Sequence, residues 1–83
     1  MNMDFVKDII DEWDPVDLLA YAPKDEYDPE IQAIAQLLTQ TLNVEKLAEE
    51  IYHIFSESFG QDTFTRSLAE CRKIAERIVT EKP

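Results

Sequence analysis

The amino-acid sequence predicts an all-α protein, a compact irregular four-helix bundle with a short extra helical turn after the first helix. Apolar residues recur at spacings of three and four in four segments, which is typical of amphipathic helices. A single glycine and 45% apolar residues favour a helical protein over a β-sandwich or a disordered chain. The 83 residues contain no internal repeat or low-complexity tract, so we expect one helical domain over 1–83.

The first helix is predicted from about residue 3 to Trp13, with Asn2 as its candidate N-cap. Asp4, Lys7, Asp8, Asp11 and Glu12 fall on the polar face of this helix. Its apolar face carries Phe5, Val6, Ile9, Ile10 and Trp13. Because Trp13 lies on that apolar stripe, we expect its ring to anchor the core.

The segment 13–30 holds three of the four prolines, and we expect it to form a folded corner over the helices. A residue before proline is disfavoured in the α region, so Asp14-Pro15, Ala22-Pro23 and Asp28-Pro29 are predicted breakpoints. Aspartate followed by proline suits a helix start. We therefore expect Asp14 to cap a short turn at 15–20 and Asp28 to cap the second long helix.

The second and third helices are predicted to form an α-helical hairpin. The second begins at Pro29 and ends near Thr41, with Ile31, Ile34, Ala35, Leu38 and Leu42 on one face. Asn43 is the predicted N-cap of the third helix, and Leu42 and Leu47 have the spacing of a hydrophobic staple. Gly60, the only glycine, fits the position that ends this helix.

The fourth helix is predicted to start from Asp62 or Thr63 as N-cap. Its apolar face would carry Phe64, Leu68, Cys71, Ile74, Ala75, Ile78 and Val79.

Charge is distributed unevenly along the chain, which has a net charge of −10. Residues 1–30 account for −8 of this and residues 31–83 for only −2. Such a balance argues against nucleic-acid binding, since phosphate contacts need Lys and Arg. A single cysteine gives no sign of an oxidising compartment, and we find neither a signal peptide nor an apolar run of membrane-spanning length. We expect a cytoplasmic protein that does not contact a membrane.

Candidate chemical groups are few, and we expect no enzymatic activity, cofactor or metal. His53, with Glu49, Glu50 and Glu57 on the same outer surface, offers too few ligands for a closed metal site. Cys71 lies on an apolar stripe, where a thiol behaves as a small hydrophobic group. The carboxylates of 25–30 do not match an EF-hand loop. Capping by Asp28 and Glu30 leaves Asp25 and Glu26 as the unexplained pair.

Two short motifs, W-D-P at 13–15 and P-x-D-E-Y-D at 23–28, resemble the YugE-like family of small bacterial proteins. This resemblance implies a compact all-helical cytoplasmic domain with no assigned function, and it assigns no catalytic residue. The combination of W-D-P with D-E-Y also resembles small bacterial proteins suspected of acting as immunity factors.

Three functional hypotheses follow from the charge distribution. The first is a non-enzymatic interaction module that binds a basic protein partner through an acidic N-terminal surface formed by Asp8, Asp11, Asp14, Asp17, Asp25 and Glu26. The second is a site for a divalent metal or small cationic ligand at Asp25, Glu26 and Asp17. The third is an immunity or inhibitor protein that faces a basic toxin. Three alternatives stay open at this point: carboxylates that serve only solubility, an enzyme that needs residues of a partner to complete its site, and pairing with a second copy.

Overall fold

The computed structural model describes residues 4–17 and 26–82. Four α-helices account for most of them: α1 (Asp4–Trp13), α2 (Asp28–Leu37), α3 (Val44–Phe59) and α4 (Leu68–Glu81). No strand occurs among the described residues. The predicted all-α class is therefore confirmed. No helix in the described ranges is long and apolar enough to cross a membrane.

The helices form a closed ring around one core. α2 packs between α1 and α3, α4 packs most extensively on α3, and α1 closes the ring against α4. The diagonal backbones, α1 with α3 and α2 with α4, do not approach each other. Side chains fill the centre instead, and the buried apolar ones are Val6, Ile9, Ile10, Tyr27, Ile31, Ile34, Leu38, Leu47, Ala48, Ile51, Phe55, Phe64, Cys71, Ala75 and Ile78.

Aromatic rings meet at Phe55 in the middle of α3. Phe64 stacks on it, with ring centroids 5.5 Å apart, and Tyr27 approaches edge-on at 5.9 Å. Trp13 also lies edge-on to Phe55, at 5.7 Å. The Trp13 ring is only partly buried, and its Nε1 donates a hydrogen bond to Oε2 of Glu70 at 3.2 Å. Trp13 thus packs at the edge of the core, where the polar end of the indole can find a partner.

The corner after α1 differs from its prediction. The backbone N–H of Asp14 bonds the Ile10 carbonyl at 2.8 Å, and Asp14 has a positive φ of 46°. Asp14 therefore ends α1, whereas an N-cap residue has extended backbone geometry, so its predicted capping role is wrong. Aspartate tolerates the left-handed region better than most residues. Pro15 and the next two residues form a turn, and the remainder of the predicted segment 15–20 lies outside the described residues.

The start of α2 is also shifted from the prediction. Tyr27 occupies the N-cap position without a side-chain capping bond, and Asp28 is already the first helical residue. The predicted capping role of Asp28 is therefore wrong, and its carboxylate pairs with Lys7 instead. The helix ends at Leu37 rather than near Thr41, and Leu42 is 49% exposed instead of completing the core face.

The ends of α3 match the prediction, but the start of α4 does not. Asn43 Oδ1 accepts a hydrogen bond from the Lys46 N–H at 2.9 Å. Gly60 has a positive φ of 82°, a backbone conformation that is strained for residues with a side chain. The N-cap of α4 is Ser67, whose Oγ accepts from the Glu70 N–H at 3.1 Å, and neither Asp62 nor Thr63. Those two residues lie in the turn that leads to Phe64, which is 3% exposed. The later start leaves Leu68 49% exposed.

The two hydrogen bonds of the Tyr27 hydroxyl allow a direct test of what holds the corner after α1. The hydroxyl donates to Asp14 Oδ1 at 2.6 Å and accepts from the Val16 N–H at 3.2 Å. Tyr27→Phe removes both bonds and keeps the ring, so we expect a loss of about 1–3 kcal/mol in unfolding free energy, measured by urea denaturation. Tyr52→Phe is the matched control, because the Tyr52 ring is partly exposed. We expect it to stay within about 0.5 kcal/mol of wild type. Equal effects of the two substitutions would contradict this role of Tyr27.

Candidate functional site

The six predicted partner-binding carboxylates fall into three groups in the structure. Asp8 on α1 and Glu26 just before α2 are exposed, and the Asp17 side chain is 84% exposed. Asp11 and Asp14 are only partly exposed, and both are engaged by other residues of the chain. Asp25 lies outside the described residues.

Lys7 joins α1 to the start of α2. Its Nζ lies 3.1 Å from Asp11 Oδ2 and 3.2 Å from Asp28 Oδ1. Desolvation lowers the pKa of Lys7, but the hydrogen bonds and charges of the two carboxylates outweigh it, so the pKa is raised overall. The second oxygen of Asp11 is buried without a hydrogen-bond partner. Asp11 therefore pairs with Lys7 inside α1 and is not an open binding group.

Arg77 on α4 holds the other end of α1. Its Nη1 and Nη2 donate to the two carboxylate oxygens of Glu12 at 3.1 and 3.0 Å, in the bidentate geometry that favours Arg over Lys. Nε of Arg77 donates to Glu81 at 2.8 Å. The hydrogen bond and the charge of Arg77 lower the pKa of Glu12, and the two carboxylates raise the pKa of Arg77.

Arg66 anchors the corner from the segment before α4. Its Nε donates to the Pro15 carbonyl at 3.0 Å, and its Nη2 lies 3.6 Å from Asp17 Oδ1. Its Nη1 lies 3.8 Å from Glu70, the residue that also accepts from the Trp13 indole. Cations late in the chain therefore balance part of the acidic N-terminal segment. Sequence reasoning missed these pairs, because their members are about 50 or more residues apart in the chain.

Asp8 and Glu26 are the predicted carboxylates that remain on the surface without an ion pair to another described residue. Asp8 follows Lys7 in α1, and Glu26 precedes Asp28 by two residues. Each is therefore close in the chain to one residue of the ion pair between Lys7 and Asp28.

The structure brings no metal-ligand set together among the described residues. No group of three or more His, Cys, Asp or Glu side chains there has the geometry to hold an ion. His53 is exposed, and its ring lies edge-on to Tyr52 with centroids 6.2 Å apart. Asp17 and Glu26 are likewise exposed and are not joined by a third described carboxylate.

Cys71 is fully buried in α4, as its place on the apolar stripe predicts. Desolvation, together with the charge of Glu70, raises the pKa of the thiol to about 11. A nucleophilic cysteine needs the opposite, an exposed site that lowers its pKa.

A groove between α3 and α4 is a feature that sequence reasoning did not identify. It encloses about 200 Å³ and is lined by Glu45, Ala48, Glu49, Leu68, Ala69 and Arg72. Arg72 and Glu45 form an ion pair across it. The small side chains of Ala48 and Ala69 leave room for the groove. Alanines in a helix form no sequence pattern that predicts a groove.

Comparison with known families assigns the chain to one of them. A family model described as a domain of unknown function (DUF1871) matches residues 5–83. The chain belongs to the DUF1871 family. No curated protein and no solved structure matches it. The DUF1871 match covers the four helices except for the first residue of α1, while the narrower resemblance to YugE-like proteins stays a prediction.

The pair of Arg77 and Glu12 predicts how stability depends on acid. Because the folded pKa of Glu12 is lowered, its contribution is present above the ordinary value of 4.5 and is lost as pH falls through the folded pKa. We expect Arg77→Gln to flatten the fall in melting temperature between neutral pH and pH values below 4.5. Lys73→Gln removes the same charge from an exposed site of α4 and is the control. Identical acid profiles for the two variants would contradict the pairing.

Cys71 should react only when the fold opens. With a pKa of about 11 and no exposed surface, the thiol at pH 8 is protonated and covered. We expect a chromogenic disulfide reagent to modify native protein far more slowly than protein unfolded in urea. Equally rapid modification of the native and unfolded protein would place Cys71 at the surface.

Proposed function

We propose that this DUF1871 protein is a non-enzymatic interaction module that binds a basic protein partner through carboxylates of its N-terminal segment. One observation carries the proposal. Asp8 and Glu26 are exposed without an ion pair to a described residue, and the described cations Lys7, Arg66 and Arg77 each pair with other carboxylates. An incoming Lys or Arg would meet net negative charge with little local competition.

The internal ion pairs support this reading by limiting which cations are available. Lys7 is held between two carboxylates, and Arg77 is held by Glu12 and Glu81. Both cations therefore lie against carboxylates other than Asp8 and Glu26. Residues 1–30 carry −8 of the net charge of −10, so a field of one sign persists around this region. Such fields accelerate and orient association with an oppositely charged partner.

The proposal includes a cytoplasmic location, in keeping with one buried cysteine and no sign of disulfide chemistry. An immunity or inhibitor protein that faces a basic toxin would be one instance of the same binding mode. A site for a divalent metal or small cation is the other class of function considered above. It is the weaker proposal, because Asp17 and Glu26 lack a third ligand among the described residues.

Charge reversal at Asp8 and Glu26 tests the proposal. Asp8→Lys with Glu26→Lys changes two exposed positions that have no ion pair to a described residue. Asp11 and Asp14 are left intact, since reversing either would break a contact that positions the corner or α2. Glu57→Lys with Glu76→Lys is the control, because it makes the same change in net charge at exposed positions of α3 and α4.

We expect a tagged wild-type protein to capture a basic protein from the cytoplasm of its source cells, with an association rate that falls as salt rises. The double variant at Asp8 and Glu26 should lose this capture, and the control pair should keep it, with melting temperatures close to wild type. Equal loss in both would assign binding to total charge alone. Equal retention in both would remove these carboxylates from the interface.

A further inference from the structure

We propose that the groove between α3 and α4 is a second docking site, one that receives a single apolar side chain flanked by Lys or Arg in a partner polypeptide. This goes beyond the proposed function by assigning a different surface, and it rests on that function only in taking the partner to be basic. The groove lies across the ring from the contact of α1 with α2, because α3 and α4 form the opposite pair of helices.

The shape of the groove sets the size of its occupant. Ala48 of α3, which is 2% exposed, and Ala69 of α4 both line the groove, and their small side chains leave space between the two helices. Its volume of about 200 Å³ exceeds the ~150 Å³ that accommodates a benzene molecule in an engineered apolar cavity. One leucine or phenylalanine side chain therefore fits, and the groove is smaller than the ~300 Å³ at which pockets for drug-sized ligands begin.

An exposed leucine lines the groove. Leu42 and Leu68, each 49% exposed, are the large apolar side chains with this degree of exposure among the described residues. Of these two, Leu68 is a lining residue of the groove. Single exposed leucines are ordinary, but one that lines a groove adds to its apolar area.

The charges on the rim indicate which partner the groove favours. Arg72 is paired with Glu45, and Glu49 is exposed with no ion pair to a described residue. The rim is therefore net negative, which favours Lys or Arg beside the apolar anchor. A second copy of this chain is a poor occupant, because each copy carries −10 and like charges oppose their contact.

Two synthetic peptides separate this groove from the acidic residues of α1. One carries a single leucine between lysines, and the other has serine in place of the leucine. We expect the leucine peptide to shift the amide NMR signals of Ala48, Glu49, Leu68 and Ala69 in the isotope-labelled protein. The serine peptide has the same charge but no anchor, so it should leave those signals unchanged.

Ala69→Trp fills the groove from an exposed position without altering the core. We expect it to weaken binding of the leucine peptide at the groove by at least about tenfold. Ser58→Trp adds the same ring at an exposed site of α3 outside the groove and should leave binding unchanged. Groove signals that do not move, or that move equally in the Ala69→Trp variant, would overturn the proposal.

The two proposals fail in different ways. If both peptides shift only the signals of Asp8 and Glu26, the acidic surface stands and the groove is overturned. If the leucine peptide shifts the groove signals equally in wild type and in the Asp8→Lys, Glu26→Lys variant, the groove stands on its own. Loss of partner capture by that variant then tests the proposed acidic binding surface independently of the groove.

Discussion

The rest of the fold depends on the ring packing and hydrogen bonds of the buried Tyr27 side chain. Its ring packs edge-on against Phe55 and Phe59 of α3, each with centroids 5.9 Å away. Its hydroxyl bonds Asp14 and the Val16 N–H, just beyond the end of α1. One side chain at the start of α2 thus fixes the end of α1 against α3, although the α1 and α3 backbones do not touch. A buried hydroxyl with both bonds satisfied favours this corner geometry over looser ones, since alternatives would leave polar groups unpaired.

Electrostatics reinforces the same arrangement from outside. Arg66 reaches the corner and Arg77 reaches Glu12, so α4 and the segment before it carry the cations that hold the acidic N-terminal part of the ring. Exposed pairs of this kind are each worth little, typically below about 1 kcal/mol. These ion pairs matter mainly because they favour one placement of α1 against α4 over others. The same pairs reduce the number of carboxylates open to a partner, which leaves Asp8 and Glu26 as the predicted carboxylates without an ion pair to a described residue.

Sequence reasoning succeeded where the signal is local and failed where it is distant. Helical periodicity, the Asn43 cap and the Gly60 terminus depend on residues a few positions apart, and all three are confirmed. Asp14 has the sequence pattern of an N-cap. Its carboxylate instead accepts a hydrogen bond from the hydroxyl of Tyr27, thirteen residues away. Ser67 and Glu70 have the S-x-x-E spacing of a capping box, a signal that was available but overlooked beside Asp62 and Thr63. The sign of the charged surface was predictable, whereas the pairing with α4 required knowing which helices meet.

The ring topology separates the two proposed surfaces. Asp8 lies on α1 and Glu26 just before α2, whereas the groove lies between α3 and α4, the opposite pair of helices in the ring. Well-separated residues without shared partners contribute nearly additively to binding. A short basic segment can occupy only one surface, while a longer one that wraps around the ring would gain affinity from effective concentration. Binding that depends on both surfaces at once therefore requires an extended partner segment, since a compact domain would meet one face of the ring.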